Sequence, residues 1–131
     1  MRTLIVEDDE LTRMLFTSFL IGHGKADTAV DGAKGFERFK EAHEKGEPYD
    51  LLCLDLMMPG VNGIELLQMV REEEGKMDIP EEKRSRIIMT TAVSQDSIIK
   101  QAYDAKCDGY LIKPIKRSQL LDAVREMGLI D

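Results

Sequence analysis

Residues that bind soft metals or form disulfides are scarce in this sequence. Its 131 residues include two cysteines, Cys53 and Cys107, and two histidines, His23 and His43. The cysteines lie in apolar segments and lack the spacing of metal ligands. This favours small buried thiols in a reducing compartment over a disulfide or a metal site. We interpret both histidines as structural or surface groups.

Positive charge and long hydrophobic runs are scarce as well. The chain has 18 lysines and arginines against 25 acidic residues, a net charge of −7, so its composition offers no electrostatic argument for nucleic-acid binding. The apolar runs are far too short to cross a bilayer, and Met1-Arg2 leads into a predicted strand rather than a signal sequence. With 43% hydrophobic and 33% charged residues, the composition predicts one cytoplasmic globular domain over residues 1–131.

Strand and helix patterns alternate along the whole chain. Short apolar runs predict strands at 3–6, 25–30, 51–54, 86–91 and 110–112. The second run is the most polar, so we expect it at an edge of the sheet. Five strands in strict alternation with five helices predict an α/β fold with a parallel sheet, covered on both faces by right-handed crossovers.

The helical patterns differ in how clearly they define a buried stripe. The first carries Leu11, Leu15, Phe19 and Leu20 near one stripe, and the last carries Leu120, Val124 and Met127 in register. Asp31 is expected to cap the second helix. The polar segment 75–86 is either a long loop or a frayed extension of the third helix, and we interpret it as a solvated charge run at the surface.

A central stretch organises the chain. Leu51–Leu54 reads as a strand buried on both faces, Asp55 follows it, and Pro59 and Gly60 open a tight loop. In open α/β sheets, ligands and chemistry lie outside the carboxyl ends of the strands. A carboxylate there can attack phosphorus and carry an acyl phosphate. On position alone, a loop cap is an equally good interpretation of Asp55.

Other strand ends supply complementary groups. The first strand ends in Glu7-Asp8-Asp9, the fourth in Thr91 and the fifth in Lys113. Clustered carboxylates without cysteine or histidine suit a hard cation, and a site with few protein oxygens suits Mg²⁺. A phosphoryl group on Asp55 would then contact Mg²⁺, the ammonium and the hydroxyl.

Four motifs resemble those of the response regulator receiver domain, and they come in that family's order. They are Val-Glu-Asp-Asp at 6–9, Leu-Asp-Leu-Met-Met-Pro-Gly-Val-Asn-Gly at 54–63, Met-Thr-Thr-Ala at 89–92 and Gly-Tyr-Leu-Ile-Lys-Pro at 109–114. The resemblance covers essentially the whole chain. It implies a flavodoxin-like, doubly wound five-stranded parallel sheet in the order 2-1-3-4-5 with five helices.

The resemblance also implies roles for the acidic residues. Asp55 is the expected phospho-acceptor, and the donor is a sensor histidine kinase or a histidine phosphotransfer protein. Asp8 is the expected direct Mg²⁺ ligand, Glu7 acts through water, and the Met57 backbone carbonyl is a further ligand. Asp9 lies just past the acidic pair, so it is expected to cap the first helix rather than to bind Mg²⁺.

Further positions match the family's switch elements. Lys113 matches its lysine, Thr91 its switch hydroxyl and Tyr110 its switch aromatic, and a cis bond is expected between Lys113 and Pro114. Receivers that lose their phosphoryl group quickly often carry polar residues where this chain has Met57 and Val93. We therefore expect slow self-dephosphorylation.

Output is expected through protein docking. We expect no output domain after Asp131, so a downstream protein target must bind the switch, and the chain is a monomer or a phosphorylation-dependent dimer. The predicted output face comprises the fourth helix, fifth strand and fifth helix, and includes Tyr103, Tyr110 and Leu121. Tyr103 and Leu121 fall beside the buried stripes of their helices, so a loosely packed core position is an equally good interpretation of both.

Two alternatives compete with a phosphorylation switch. One is a pseudo-receiver, a binding or dimerisation module that never cycles phosphate. The other is an aspartate-nucleophile phosphohydrolase, which typically needs a second acid two residues beyond the nucleophile, where this chain has Met57. We therefore expect a chain that promotes only its own phosphorylation and dephosphorylation and is not otherwise an enzyme.

Overall fold

Strands and helices alternate from the first residues to the last in the computed structural model, which describes residues 1–131. The elements are β1 (Arg2–Val6), α1 (Glu10–Phe19), β2 (Lys25–Ala29), α2 (Gly32–Glu44), β3 (Leu51–Leu54), α3 (Gly63–Lys76), β4 (Arg86–Thr91), α4 (Asp96–Asp104), β5 (Gly109–Ile112) and α5 (Arg117–Glu126). A short 3₁₀ helix at Glu81–Lys83 precedes β4. None of the helices combines the length and apolar character that crossing a bilayer requires.

The five strands form one parallel sheet in the order β2-β1-β3-β4-β5. This confirms the predicted flavodoxin-like topology. The central strand β3 is completely buried, and the polar strand β2 lies at one edge, as its composition predicts. Val6 pairs with Leu54 and Thr91 pairs with Ile112, so the residues that follow these strands come out at the same edge of the sheet.

Alternate residues of the strands pack into two separate hydrophobic cores, one on each face of the sheet. On one face, Leu52 and Leu54 of β3 pack with apolar residues of α2, α3 and α4. On the other face, Leu51 and Cys53 pack with residues of α1 and α5. The strands β1, β3 and β4 thus have two apolar faces, which is why they read as continuous hydrophobic runs.

The predicted stripe of α1 is wrong at two positions. The helix packs through Phe16 and Leu20, whereas Leu11 is 75% exposed and Leu15 is 48% exposed. Residues 16 and 20 are four apart and share one side of a helix, and Leu15 is rotated about 100° from Phe16. The sequence offers more apolar positions than one helix face can bury, and periodicity alone selected the wrong side.

Of the two interpretations of Leu121, the structure supports a position in the core, and the placement of Leu121 on the output face is wrong. Leu121 is 6% exposed and lies in the core with Leu120 and Val124, packed toward α1. Met127, assigned to the buried stripe, is only half-buried, after the end of α5. The apolar stripe of a core-facing helix spans more than 100°, so two consecutive residues can both lie within it.

The helix α3 ends at Lys76, so the segment from Gly75 to Arg86 is mostly a loop. The interpretation as a solvated charge run holds for the charged residues between Lys76 and Lys83, which are exposed, and it is wrong at Ser85. Ser85 is buried and donates its backbone N–H to the buried Glu74 carboxylate at 2.9 Å. Arg71 donates to the same carboxylate at 2.6 Å. A buried ion pair therefore ties the end of α3 to the start of β4.

Several local predictions are confirmed. The Asp9 carboxylate accepts the Thr12 backbone N–H at 2.9 Å, and the Asp31 carboxylate accepts the Lys34 N–H at 2.8 Å, so both cap their helices. The peptide bond before Pro114 is cis. Both cysteines are free and buried. Burial raises the pKa of Cys53 to about 12 and, with help from the Asp108 charge, that of Cys107 to about 11.

Candidate functional site

Strand pairing brings the predicted acidic residues together. The Asp55 backbone N–H donates to the Val6 carbonyl at 3.0 Å, so Asp55 leaves β3 directly beside the end of β1. Glu7, Asp8 and Asp55 each offer a carboxylate oxygen, and these oxygens all lie within 4.8 Å of one another. Glu7 and Asp55 are buried, and Asp8 is exposed. The cluster is therefore a half-open acidic pocket.

The loop after β3 holds Asp55 in place through a close backbone approach. A Cβ atom on Gly63 would lie 2.4 Å from the Asp55 carbonyl oxygen, so only glycine fits at that position. The Gly63 N–H donates to the Leu56 carbonyl at 3.1 Å. The Met57 N–H donates to the Asp55 Oδ1 atom at 3.3 Å. The loop therefore folds back over the strand end and orients the carboxylate.

Lys113 bridges the two buried acids. Its Nζ atom lies 3.5 Å from Asp55 Oδ2 and forms a shorter contact with Glu7 Oε1. Burial acts to lower the pKa of Lys113, but the hydrogen bond that Lys113 donates to Glu7 and the charges of Asp55 and Glu7 outweigh it and raise the pKa. Lys113 therefore stays cationic beside the acids.

Glu7 holds its proton more strongly than an ordinary carboxyl. Burial raises its pKa to about 7, and the repulsion from Asp55 adds to this, against hydrogen bonds from Lys113 and the Asp9 N–H that lower it. Both oxygens of Glu7 have protein partners, because Oε1 contacts Lys113 and Oε2 accepts the Asp9 N–H at 3.1 Å. These contacts favour an indirect role for Glu7 at any bound cation.

The donor set suits a small hard cation. Three carboxylates meet without any sulfur or imidazole, which matches the oxygen ligands of Mg²⁺. Exposure of Asp8 leaves room for the waters that Mg²⁺ keeps. A bound cation would also relieve the repulsion between Asp55 and Glu7.

The predicted switch residues, Thr91 and Tyr110, are connected through hydrogen bonds to Val93. Thr91 is completely buried at the end of β4, and its hydroxyl oxygen accepts the Val93 N–H at 3.3 Å. The Tyr110 hydroxyl donates to the Val93 carbonyl oxygen at 2.7 Å. Tyr103 is 47% exposed on α4, and Leu121 is withdrawn into the core. Of the predicted output face, Tyr103 and Tyr110 stay accessible.

One surface was missed by the sequence reasoning. Leu11, Met14, Leu15 and Ile21 are all exposed on or just after α1, which begins right after Asp9. Residues three or four apart share one face of a helix, so Leu11, Met14 and Leu15 form an apolar stripe on the solvent side of α1. The signal was the i, i+3, i+4 spacing of Leu11, Met14 and Leu15, which we assigned in part to the core.

Comparison with known families gives a match over nearly the whole chain. A family model described as the response regulator receiver domain matches residues 3–125. The chain is 32% identical over 127 residues to the osmosensing histidine protein kinase SLN1 of Saccharomyces cerevisiae, covering 95% of this chain and 10% of that protein. It is 36% identical over 127 residues to the regulatory protein VanRB of Enterococcus faecalis, covering 96% of this chain and 51% of that protein. The chain thus spans from about a tenth to about half the length of these relatives.

Solved structures share the same architecture. The chain superposes with a TM-score of 0.83 and 26% identity on a chain of the CheX-CheY-BeF3-Mg complex from Borrelia burgdorferi, covering 97% of this chain and 88% of that chain. It superposes with a TM-score of 0.80 and 22% identity on the chemotaxis protein CheY4 of Vibrio cholerae, covering 96% of this chain and 97% of that chain. At this identity, the second similarity supports the fold alone.

Proposed function

The chain belongs to the response regulator receiver domain family of two-component systems, and from this membership we propose that it is a phosphorylation switch. Asp55 accepts a phosphoryl group from a phosphohistidine on a sensor kinase or a phosphotransfer protein. The observation that carries the proposal is the convergence of Glu7, Asp8, Asp55 and Lys113 at one edge of the sheet.

The proposed reaction is a phosphoryl transfer between two side chains. An Asp55 oxygen forms a new P–O bond, the N–P bond of the donor breaks, and its electron pair returns to the imidazole, which takes up a proton. The loop N–H of Met57 holds Asp55 Oδ1 and leaves the second oxygen toward Lys113. Asp55 is nearly buried, which limits competing attack by water.

Charge stabilisation is divided among few groups. Asp8, Asp55 and the Met57 carbonyl would hold Mg²⁺ directly, and Glu7 would act through water because its oxygens are already hydrogen-bonded. When bound, Mg²⁺ supplies positive charge next to the transferring phosphoryl oxygens. The similar complex from Borrelia burgdorferi contains Mg together with BeF3, which supports this cation for the present site. Lys113 contributes the fixed cation on the other side.

Phosphorylation of Asp55 changes the output face through Thr91. A phosphoryl group on Asp55 draws the Thr91 hydroxyl toward its oxygens, which removes that hydroxyl from the Val93 N–H. Val93 also holds the Tyr110 hydroxyl, so the position of Tyr110 changes with it. Tyr103 and Tyr110 then form part of the surface that a downstream protein reads. Because Leu121 is buried, it has no place on this surface.

The apolar stripe on α1 is the surface best placed to dock the phospho-donor. It comprises Leu11, Met14 and Leu15, and it begins immediately after the acidic residues of the pocket. A donor histidine that approaches Asp55 past the exposed Asp8 and Asp9 would bring its protein over the start of α1. Burying exposed apolar side chains would stabilise that encounter.

Neither alternative has comparable support. A pseudo-receiver has no need for a half-buried lysine that contacts two buried acids, and this chain holds one. A phosphohydrolase needs a second acid near the nucleophile, and the corresponding residue, Met57, carries a thioether that is mostly exposed. We therefore infer that the chain catalyses only its own phosphorylation and dephosphorylation.

Phosphorylation by a small donor tests the proposal. Incubation with Mg²⁺ and acetyl phosphate should add one phosphoryl group that hydroxylamine removes, as seen by intact-protein mass spectrometry. Asp55→Asn should abolish the addition, whereas the matched exposed variant Asp104→Asn should keep it. Stoichiometric labelling of Asp55→Asn at another residue would refute the assignment of Asp55. Failure of the wild-type chain with both acetyl phosphate and phosphohistidine donors would favour the pseudo-receiver.

A further inference from the structure

A cavity of about 360 Å³ opens at the edge of the sheet opposite Asp55, at the amino-terminal ends of β4 and β5. We call it the basic cavity, and its lining residues are Arg71, Glu81, Arg84, Arg86, Lys106 and Asp108. Four of the six are cationic and none is hydrophobic. This local positive excess runs against the net charge of −7 of the whole chain.

Two of the four cations are free of protein partners. Arg71 is fully engaged, since it pairs with Glu74 and Asp108 and donates to the Ser85 and Lys106 carbonyls. Arg84 uses only its Nε atom, which donates to the Ile79 carbonyl at 2.9 Å. The Arg86 guanidinium and the Lys106 ammonium form neither an ion pair nor a side-chain hydrogen bond. Free donors therefore converge on a common space.

The acids that line the cavity do not cancel this charge. Asp108 is already held, because its Oδ2 atom accepts from Arg71 at 2.9 Å and from the Ile87 N–H at 2.8 Å. Glu81 is the only other acid of the lining, and three cations, Arg84, Arg86 and Lys106, outnumber it. The wall formed by Arg71 and Asp108 is consequently preorganised, and the remaining cations face it.

Lys106 lies in the turn that ends α4, where the Cys107 N–H donates to the Ala102 carbonyl at 3.1 Å. Lys106 follows the C-cap of α4 with φ of +76°, a conformation in which glycine is the usual residue. A lysine there carries strain that glycine would avoid. The strained position projects a cationic side chain into the cavity.

From these features we propose that the basic cavity binds a small, multiply charged oxyanion of the pyrophosphate or phosphate-ester class. Guanidinium groups bind phosphate oxygens through paired, charge-assisted hydrogen bonds, and an ammonium adds a further donor. The volume lies at the small end of the range for ligand pockets. No aromatic or apolar side chain is present on which a nucleotide base could stack, so the phosphate part alone is recognised.

Calorimetric titration with pyrophosphate, in EDTA and at low salt, tests this site on the full chain. Arg86→Gln and Lys106→Gly should each weaken binding about tenfold or more, the effect of losing one charge-assisted hydrogen bond. Lys83→Gln removes an exposed positive charge beside the cavity that does not line it, and it should bind like the wild type. Lys106→Gly should not lower the melting temperature, because glycine relieves the strained backbone.

Chemical-shift mapping locates the bound anion. Pyrophosphate should shift the backbone amide signals of Arg86 and Lys106 and leave those of Asp55 and Met57 unchanged. ADP should bind no more tightly than pyrophosphate, since its base has no platform. Absence of binding at millimolar pyrophosphate, shifts confined to the Asp55 edge, or equal losses in Lys83→Gln and Lys106→Gly would overturn the proposal. Asp55→Asn should bind pyrophosphate normally, which separates this site from the phosphorylation switch.

Discussion

The hydroxyl of Tyr110 donates a 2.7 Å hydrogen bond to the backbone carbonyl oxygen of Val93. The N–H of the same residue donates to the Thr91 hydroxyl oxygen at 3.3 Å. Both polar backbone groups of Val93 are therefore held by side chains, one from β4 and one from β5. A displacement of Thr91 therefore breaks its hydrogen bond with Val93, and a shift of Val93 disturbs the hydrogen bond that Tyr110 donates to it.

Removing this bond should loosen the loop between β4 and α4. Tyr110→Phe should cost about 1 kcal/mol of unfolding free energy and speed amide hydrogen exchange at residues 92–96, while phosphorylation at Asp55 persists. Tyr103→Phe is the matched control, because the Tyr103 hydroxyl has no hydrogen-bond partner in the protein. Equal exchange rates in both variants would contradict a role for the Tyr110 hydroxyl.

The two neighbouring acids after β1 should separate in function. Asp8→Ala should remove most Mg²⁺ binding, measured by titration of the unphosphorylated chain, because it deletes an anionic oxygen from a site with few protein ligands. Asp9→Ala should leave Mg²⁺ binding nearly intact and lower the unfolding free energy by about 1 kcal/mol, since Asp9 caps α1. If Asp9 proved essential for Mg²⁺ and Asp8 dispensable, the assignment of the pair would be reversed.

Loss of the phosphoryl group should be slow in this chain. Met57 is 65% exposed near Asp55, and its thioether side chain offers no strong hydrogen-bonding group that could hold water in line with the phosphorus atom. Met57→Asn and Val93→Glu should each speed the decay of the phosphorylated chain, followed by mass spectrometry after the donor is removed. Met57→Ala is the control, because it removes the thioether without adding a polar partner. Decay as slow in both polar variants as in the wild type would remove the argument.

The sheet and its chemical edge could be predicted because both depend on local signals. The run Leu51–Leu54 marks a strand buried on both faces, and Asp55, Thr91 and Lys113 each follow or end a predicted strand. Parallel strands must end at the same edge, so the topology brings these groups together. The match of four motifs then selected Asp8 over Asp9, which the residue types alone could not do.

The outer surfaces could not be predicted because they depend on docking angles. Leu11 and Leu121 are both leucines beside an apolar stripe, yet one is exposed and the other is buried. Which of them reaches the core depends on how each helix sits on the sheet, and helical periodicity does not contain that angle. The buried hydrogen bond between Glu74 and Ser85 was missed because these residues are 11 apart in the sequence and meet only in the folded chain.

The apolar stripe on α1 should matter for protein donors and not for small ones. Leu11→Glu should slow phosphotransfer from a phosphorylated histidine kinase that is active on the wild-type chain, by about tenfold or more, through loss of a buried apolar contact. The rate with acetyl phosphate should stay unchanged, because Leu11 is exposed and outside the pocket. Tyr103→Glu, on a helix that covers the other face of the sheet, should leave both rates unchanged. A kinase rate unaffected by Leu11→Glu would place the donor elsewhere.

His43 should make the fold less stable in mild acid. Its ring packs edge-on against Phe39 at 4.8 Å, and its Nε2 atom is buried without a hydrogen-bond partner. Burial lowers the pKa of His43 below its ordinary value of 6.5, although the charges of Glu74 and Glu73 oppose this. Lys40 and Glu44 line the same small cavity between α2 and the end of α3. The folded chain therefore favours the neutral imidazole.

The sign of the effect follows from proton binding. Below pH 6.5 the unfolded chain protonates His43 more readily than the folded chain does, so the free energy of unfolding falls as the pH is lowered through this range and is fully restored above it. Urea denaturation at pH 8 and pH 5.5 gives the free energy of unfolding at each pH. The difference between the two values should be smaller for His43→Phe than for the wild type, because the variant keeps the aromatic packing and removes the titrating ring. Glu44→Gln leaves His43 in place and should retain the wild-type difference. A pH dependence that is identical in His43→Phe and the wild type would show that His43 is protonated as readily in the folded chain as in the unfolded one.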